Sequence, residues 1–406
     1  MKTKLNLAVA AALLASASAA NAGIMIPAGD WTLDIGGIVN SYYTHTNFSG
    51  DAFGSGYGGK FIGGSNGTDG DSQNNITTGL LPNYLSVSGK TRQNDLDVGF
   101  TISINPGSST TGGGFQGSQQ ENRQAFLTFG DKSWGSIKVG KDLGIYASDA
   151  ILNDMTLLGV GSGAGALAGN TTTLGRIGTG FMYADWKSQV AYSSPNWNGF
   201  SFTAGVTQAW NAISVAIPNS AVSTKRGGSQ PAFEGKASYE WTGDVGGKVW
   251  VSGISQKIEF NGTLGSDRAD SYDIGATVNV AGFGLTGYYY NGNGIGQTVQ
   301  FNGGYDALGN SRDSDGYYVQ ATYTIPGVGT KLGASYGKSQ LDGNSGAAEF
   351  NQIEDSMWTI GAYHPLTKHL NLVAEYSNAK SELDNKVAAD FKGKSKTISL
   401  GAILFF

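Results

Sequence analysis

Residues 94–104 read NDLDVGFTISI. Leu96, Val98, Phe100, Ile102 and Ile104 fall on one side of an extended chain. Asp95, Asp97, Gly99, Thr101 and Ser103 fall on the other. Side chains alternate across a strand, so a period of two marks a β-strand with one apolar face. The C-terminus repeats it. Ile398, Leu400, Ala402, Leu404 and Phe406 alternate with Thr397, Ser399, Gly401, Ile403 and Phe405. Sixteen segments carry this signature: 30–46, 82–92, 94–104, 121–130, 134–141, 181–193, 199–210, 232–242, 246–259, 270–281, 283–291, 315–325, 329–339, 355–365, 368–380 and 394–406.

Their spacing is as informative as their number. Short turns, such as 131–133, 195–198 and 243–245, alternate with eight long loops rich in Gly, Ser, Asn and Asp. The long loops cover 47–81, 105–120, 142–180, 211–231, 260–269, 292–314, 340–354 and 381–393. An even number of strands, with short turns at one end and long loops at the other, describes a transmembrane β-barrel. Closing the sheet pairs every backbone N–H and C=O, which a lipid surround requires. Only the outer face then needs to be apolar. The expected fold is all-β, a 16-stranded antiparallel barrel with short periplasmic turns and long outer loops.

Composition agrees. Glycine is 64 of 406 residues, proline 8, and aromatics 11%. That is too aromatic for disorder, and no collagen period is present. Cysteine is absent, which excludes disulfides and thiolate metal sites. The formal net charge is −5 with no basic stripe, which argues against nucleic acid. The aromatic residues Trp31, Tyr43, Trp134, Trp197, Trp241, Tyr289 and Trp358 lie mostly towards strand ends, where barrels carry interfacial girdles.

Residues 1–22 stand apart. Lys2 and Lys4 precede an apolar run from Leu5 to Leu14, and Ala20-Asn21-Ala22 is a small-residue cleavage pattern. This reads as a signal peptide, leaving 23–406 as the barrel domain. The apolar run is too short to span a membrane.

One stretch breaks the period of two. In 146–165, YASDAILNDMTLLGVGSGAG, the residues Ala150, Ile151, Leu152, Met155, Leu157 and Leu158 fall near helical spacing, with Asp149 and Asp154 among them. A surface-exposed loop has little reason to carry so many apolar side chains unless it is a contact between subunits or an external lid. Inside a water-filled barrel, its apolar residues are expected to pack on the wall and its carboxylates to face water.

Several segments resemble the trimeric general diffusion porins of Gram-negative outer membranes. ENRQAFLTFGDKSWGSIKVGK (121–141) resembles that family's fourth and fifth strands. LGRIG (174–178) resembles the return of its third loop. QVAYSSPNWNGFSFTAGV (189–206) resembles its Y-x-S-P-x-x-x-G-F hairpin, and the terminal LGAILFF its last strand, which ends in Phe. The resemblance implies a passive channel for ions and small hydrophilic solutes. It implies a homotrimer embedded in outer-membrane lipid and lipopolysaccharide. It also implies a third loop, here 142–180, folded inward as a constriction, and Phe406 as the signal read by the barrel assembly machinery. Asp149 and Asp154 would form the acidic side of the eyelet. Lys90, Arg92, Arg123, Lys141 and Arg176 would form the basic side, setting up a transverse field that selects ions. Tyr84 stands where the family often has another Arg, so the basic cluster is thinner here.

Enzyme chemistry finds little support. The three histidines are His45, His364 and His369, and the last two flank a turn at Pro365. HExxH, GxSxG and P-loop patterns are absent, so no catalytic, metal or cofactor site is expected. TDGDSQN (68–74) and RDSDG (312–316) read as solvated turns or as weak divalent-cation sites. Three other readings compete: a substrate-selective channel, a closed barrel acting as an adhesin or structural surface protein, and a soluble exported β-protein.

Overall fold

A computed structural model describes residues 23–51, 70–109, 120–162, 172–214, 217, 219–220, 224, 228–346 and 349–406. The signal-peptide segment and residues 163–171 of the third loop lie outside the described residues. One antiparallel sheet contains nineteen strands. They are β1 (Ile24–Ala28), β2 (Trp31–Gly50), β3 (Ser72–Thr77), β4 (Tyr84–Gln93), β5 (Leu96–Pro106), β6 (Gln120–Glu121), β7 (Ala125–Asp131), β8 (Gly135–Leu143), β9 (Trp186–Ser193) and β10 (Phe200–Thr207). The remainder are β11 (Ala232–Trp241), β12 (Val245–Glu259), β13 (Ser266–Val280), β14 (Phe283–Asn293), β15 (Asp313–Thr324), β16 (Lys331–Asp342), β17 (Phe350–Pro365), β18 (Leu370–Asn385) and β19 (Phe391–Phe405).

Sixteen staves make the wall. β3 and β4 both pair with β2 and form one broken stave. β6 and β7 both pair with β5 and form another. The sheet closes where β19 meets β2, from Gly393 against Gly50 down to Phe405 against Ile38. Below that point β1 continues along the same edge of β2, from Ile24 opposite Ile35 to Ala28 opposite Trp31. Pro27 sits in this short outer strand, where its missing N–H does no harm. The first strand expected from the sequence began at residue 30, so β1 was missed.

The alternation has the expected sense. Val39, Leu85, Ile102, Ile104, Leu127, Val190, Phe233, Ile274, Leu285, Val319, Ile360 and Leu400 are all exposed on the outer face. Opposite them, small polar residues such as Thr44, Ser86, Ser103, Ser252, Ser335, Thr359 and Ser399 are buried towards the bore. No described helix is long and apolar enough to cross a membrane.

The boundaries differ instructively. The β4–β5 turn falls at Asn94 (φ 48°) and Asp95 (φ 61°) rather than at Gln93. Two consecutive left-handed residues suit the twist of a tight hairpin, and Asn and Asp tolerate that conformation. The strand expected from residue 181 starts at Trp186, because residues 172–184 run buried through the bore. Several wall strands extend further outward than expected, β13 from Ser266 and β17 from Phe350.

Candidate functional site: the inward-folded third loop

The chain leaves the wall after Leu143 and rejoins it at Trp186. Between them, α1 (Ser148–Asn153) is followed by a 3₁₀ turn, Met155–Leu158. So the helical spacing is real, though the helix is short. Ala147 enters it in a left-handed conformation (φ 61°), and Asp154 caps the 3₁₀ turn by accepting from the Thr156 N–H at 2.9 Å.

The wall holds this segment by its polar groups. Glu234 on β11 accepts from the backbone N–H of Ile145 and of Tyr146, each at 2.9 Å. Its other oxygen takes Lys187 Nζ at 2.5 Å and the Thr207 hydroxyl at 2.9 Å. Asp149 is buried between two wall lysines, Lys248 at 2.5 Å and Lys236 at 3.2 Å. Burial alone would raise its pKa, but the two ammonium groups hold it below the ordinary carboxylate value. Tyr318 donates to the Ala150 carbonyl at 2.9 Å, and Gln320 brackets the helix end through the Asn153 carbonyl and the Met155 N–H. Further round the wall, Tyr42 donates to the Leu158 carbonyl at 2.7 Å. Glu375 on β18 accepts from the N–H of Val160 and of Gly161, both at 2.8 Å. The loop is thus fastened from β11 to β18 and β2.

Asp149 departs from the orientation expected from the sequence, whereas Met155 packs towards Gly333 of the wall. The carboxylate of Asp149 meets the wall instead of water, because lysines at inward positions of β11 and β12 supply its counter-charge. Apolar residues Ile151 and Leu157 border a narrow cavity of about 60 Å³ between the loop and the wall. Its other sides include Leu80 and Leu81, which the break between β3 and β4 turns inward. They also include Tyr84, Ser86, Asn105, Arg123 and Gln124 of the wall region. Asn40 stabilises that break: its side chain accepts from the Gly79 N–H at 2.8 Å and donates to the Leu81 carbonyl at 3.0 Å.

The proposed basic residues do not gather opposite Asp149. Arg92 sits at the β4–β5 turn, half-exposed, paired with Asp97 at 2.8 Å and Asp131 at 2.9 Å. Lys90, two residues away on the same face, is also exposed near this rim. The acidic neighbours of Arg92 at the turns, rather than loop 3, hold it there. Lys141 lies on the face of β8 that carries Val139, which points outward, and donates to the Asn122 carbonyl at 2.8 Å. Arg123 does reach the cavity. It lies over the Trp186 ring at 5.7 Å and pairs with Glu121 at 2.8 Å. Arg176 is fully buried, donating to the Met357 carbonyl at 2.8 Å, to Thr179 and to Ser335. Asp154 lies in its field and is likewise buried; desolvation, the larger influence, raises the Asp154 pKa. These two residues are brought together within the loop.

The sixth loop also folds inward, which the glycine-rich GNGIG stretch did not announce. Gln300 donates to the carbonyls of Tyr183 and Ala184, and Tyr183 donates its N–H to the Thr298 carbonyl at 2.9 Å. The residues that sequence reading missed, Lys236, Lys248, Glu234, Glu375 and Gln320, all occupy inward positions of regular strands. Their type was visible. Their distinction from other inward polar residues was not.

A closed barrel with an apolar exterior, a polar inner wall and loops folded into the bore is an outer-membrane channel. The chain belongs to the Gram-negative porin family, whose model matches residues 8–384. Among solved structures it resembles the outer membrane channel DcaP of Acinetobacter baumannii, at 16% identity and a TM-score of 0.65, covering 94% of this chain and 99% of that one. OmpF of Salmonella typhi gives 16% identity and a TM-score of 0.57, over 94% and 100%. OmpT of Vibrio cholerae gives 14% and 0.56, over 94% and 99%. A search of curated protein sequences finds no match. The protein is an outer-membrane channel for passive diffusion of small solutes. Family and fold are those of non-enzymatic channels.

Proposed function

We propose that this channel is a homotrimer whose bore is narrowed by loop 3. The passage runs between that loop and the staves β4, β5 and β7. The observation that carries the constriction is the double fastening of the loop, at Asp149 by Lys236 and Lys248 and at Val160–Gly161 by Glu375. A segment fixed at separated points of the wall stays across the bore against thermal motion. Of the expected site residues, Arg123 lines the passage, beside Tyr84 where the family often has another Arg, while Asp149 and Asp154 hold the loop in place. A trimer is supported by V. cholerae OmpT, a similar barrel described in trimer form. Lipid and lipopolysaccharide contact the outer face, ions and small hydrophilic solutes use the bore, and Phe406 serves the assembly machinery.

Planar-bilayer recording tests this. The expected result is conductance in three equal steps. Deleting residues 148–160 is expected to raise each step and to widen the solute size limit. A folded but silent protein would overturn the pore, and a deletion without effect would overturn the constriction.

A further inference from the structure

Five neighbouring strands, β14 to β18, present one rung of residues to the barrel interior. In register order they are Tyr290, Gly316, Ser339, Asp355 and Ser381. Facing residues of adjacent strands stand about 5 Å apart, so Asp355 lies between two serines. Gly316 leaves room beside them. A Cβ there would come within 2.5 Å of the Tyr290 ring and 2.9 Å of Ser339 Oγ. The Tyr290 ring therefore crosses the glycine towards Ser339, within reach of the Asp355 charge. Two inward loops cover the rung. Gly180, on the return of loop 3, donates its N–H to Ser339 Oγ at 3.0 Å. Gln297, in loop 6, donates its side-chain amide to the Ser339 carbonyl at 3.1 Å.

This enclosure holds oxygens that no described group satisfies. Both carboxylate oxygens of Asp355, the Tyr290 hydroxyl and the Gln297 side-chain carbonyl have no hydrogen-bond partner among the described residues. All three side chains are fully buried. Ser381 lies close to Asp355, and Ser339 to Tyr290, without the alignment of a hydrogen bond. Counter-charge is lacking as well. Lys338 and Lys380, each one residue before a register partner of Asp355, face the other side of the sheet. There they pair with Glu354 and Glu382. Arg176 comes as near as the Met357 carbonyl, but its charge answers Asp154. No positive side chain among the described residues acts on Asp355. Burying an ionised carboxylate is unfavourable unless charge and polar contacts compensate it.

We propose that Asp355, Tyr290 and Gln297 bind a monovalent alkali cation. Every unpartnered atom among them is an oxygen, which suits a hard cation rather than a transition metal. One carboxylate supplies one negative charge, and one positive charge neutralises it in a site shielded from solvent. A divalent ion would leave net charge buried. The bound ion joins loop 6 to β14 and β17, and so steadies an outer loop against the wall.

The test is thermal unfolding of the full-length protein in detergent at about pH 8, where an ordinary carboxyl is ionised. Ionic strength is held constant with choline chloride, whose cation is too bulky for such a site. An ion that binds only the folded state stabilises it with the logarithm of its concentration above the dissociation constant. Replacing choline by sodium or potassium is therefore expected to raise the melting temperature, by a similar step for each tenfold increase. Asp355→Asn keeps the shape, removes the charge and is expected to lose this dependence. Tyr290→Phe removes one ligand oxygen and is expected to shift the dependence to higher concentration. Equilibrium dialysis with radiolabelled sodium is expected to show one ion per chain in the wild type and none in Asp355→Asn. Equal melting of the wild type in choline, sodium and potassium would overturn the proposal. So would an undiminished cation response in Asp355→Asn, or stabilisation by calcium alone. A melting temperature that falls from about pH 6 to about pH 8 and ignores the cation would give Asp355 a proton instead, and overturns it too. Absence of bound sodium in the wild type decides against the site whether or not the variant folds. None of these readouts depends on conductance, so the site and the pore fail separately.

Discussion

Asp149 holds the loop through charge, and its environment sets when that hold fails. A carboxyl whose folded pKa lies below its unfolded value adds stability above the unfolded pKa, near 4. The contribution is lost as pH falls through the lowered folded value. Loop 3 is therefore expected to stay fastened at neutral pH and to loosen only in strong acid. Single-channel recordings from pH 7 to pH 3 should show added current noise at the acid end, and Asp149→Asn should show that noise already at pH 7. Equal behaviour of the two would contradict the tether. Lys236→Gln/Lys248→Gln is predicted to be the harsher change. It leaves a carboxylate buried without a partner, at a cost of about 3 kcal/mol, which thermal melting of the folded barrel would register. At this scale the sequence was legible in part. Periodicity showed that Asp149 and Ile151 occupy different faces of one helical turn. Which face meets the wall depends on Lys236 and Lys248, almost ninety residues or more away, and spacing within the segment carries no trace of them.

The elements differ in how they were legible. Wall strands declare themselves because one face meets an apolar surround and the other does not, so β5 and β19 stand out on inspection. The break between β3 and β4 did not, since Leu80 and Leu81 look like the approach to an ordinary strand. The inward sixth loop was hidden for a related reason: its polar residues are satisfied by partners in other loops. Arg312 shows this best. Fully buried, it forms a forked pair with Glu349 (2.7 and 2.8 Å from Nη2), donates to the Gly303 carbonyl and to Ser220, and lies over the Phe350 ring at 4.8 Å. It gathers loop residues from three separate connections. Glu349→Gln removes the charge that balances this buried guanidinium, at a cost of about 3–5 kcal/mol. The expected outcome is faster proteolysis within the outer loops while the barrel keeps its resistance to cleavage. Unchanged loop cleavage would show that the pair does not organise the mouth.

For the molecule as a whole, sixteen staves were read correctly because number, spacing and alternation all express one constraint, a sheet without edges in lipid. The seam is where that constraint is met. Phe406 donates its N–H to the Gly37 carbonyl at 3.0 Å and accepts from the Gly37 N–H at 2.8 Å. A Cβ on Gly37 would approach the Phe406 ring to 2.8 Å. Gly37→Val is therefore predicted to displace the terminal ring and, like Phe406→Ala, to lower the amount of barrel in the outer membrane, measured by surface labelling. Full surface levels in both would remove Phe406 from assembly. The seam also joins residues far apart in the chain: Thr46 bonds Thr397 across 351 positions. A chain delivered from its N-terminus must therefore present β2 long before β19 arrives to cover it. Until the last strand is delivered, every earlier one belongs to a ribbon with two bare sides. Completion is then a single late event, and a ribosome that stops a few codons early leaves no smaller channel behind, only an unfinished sheet for the cell to clear.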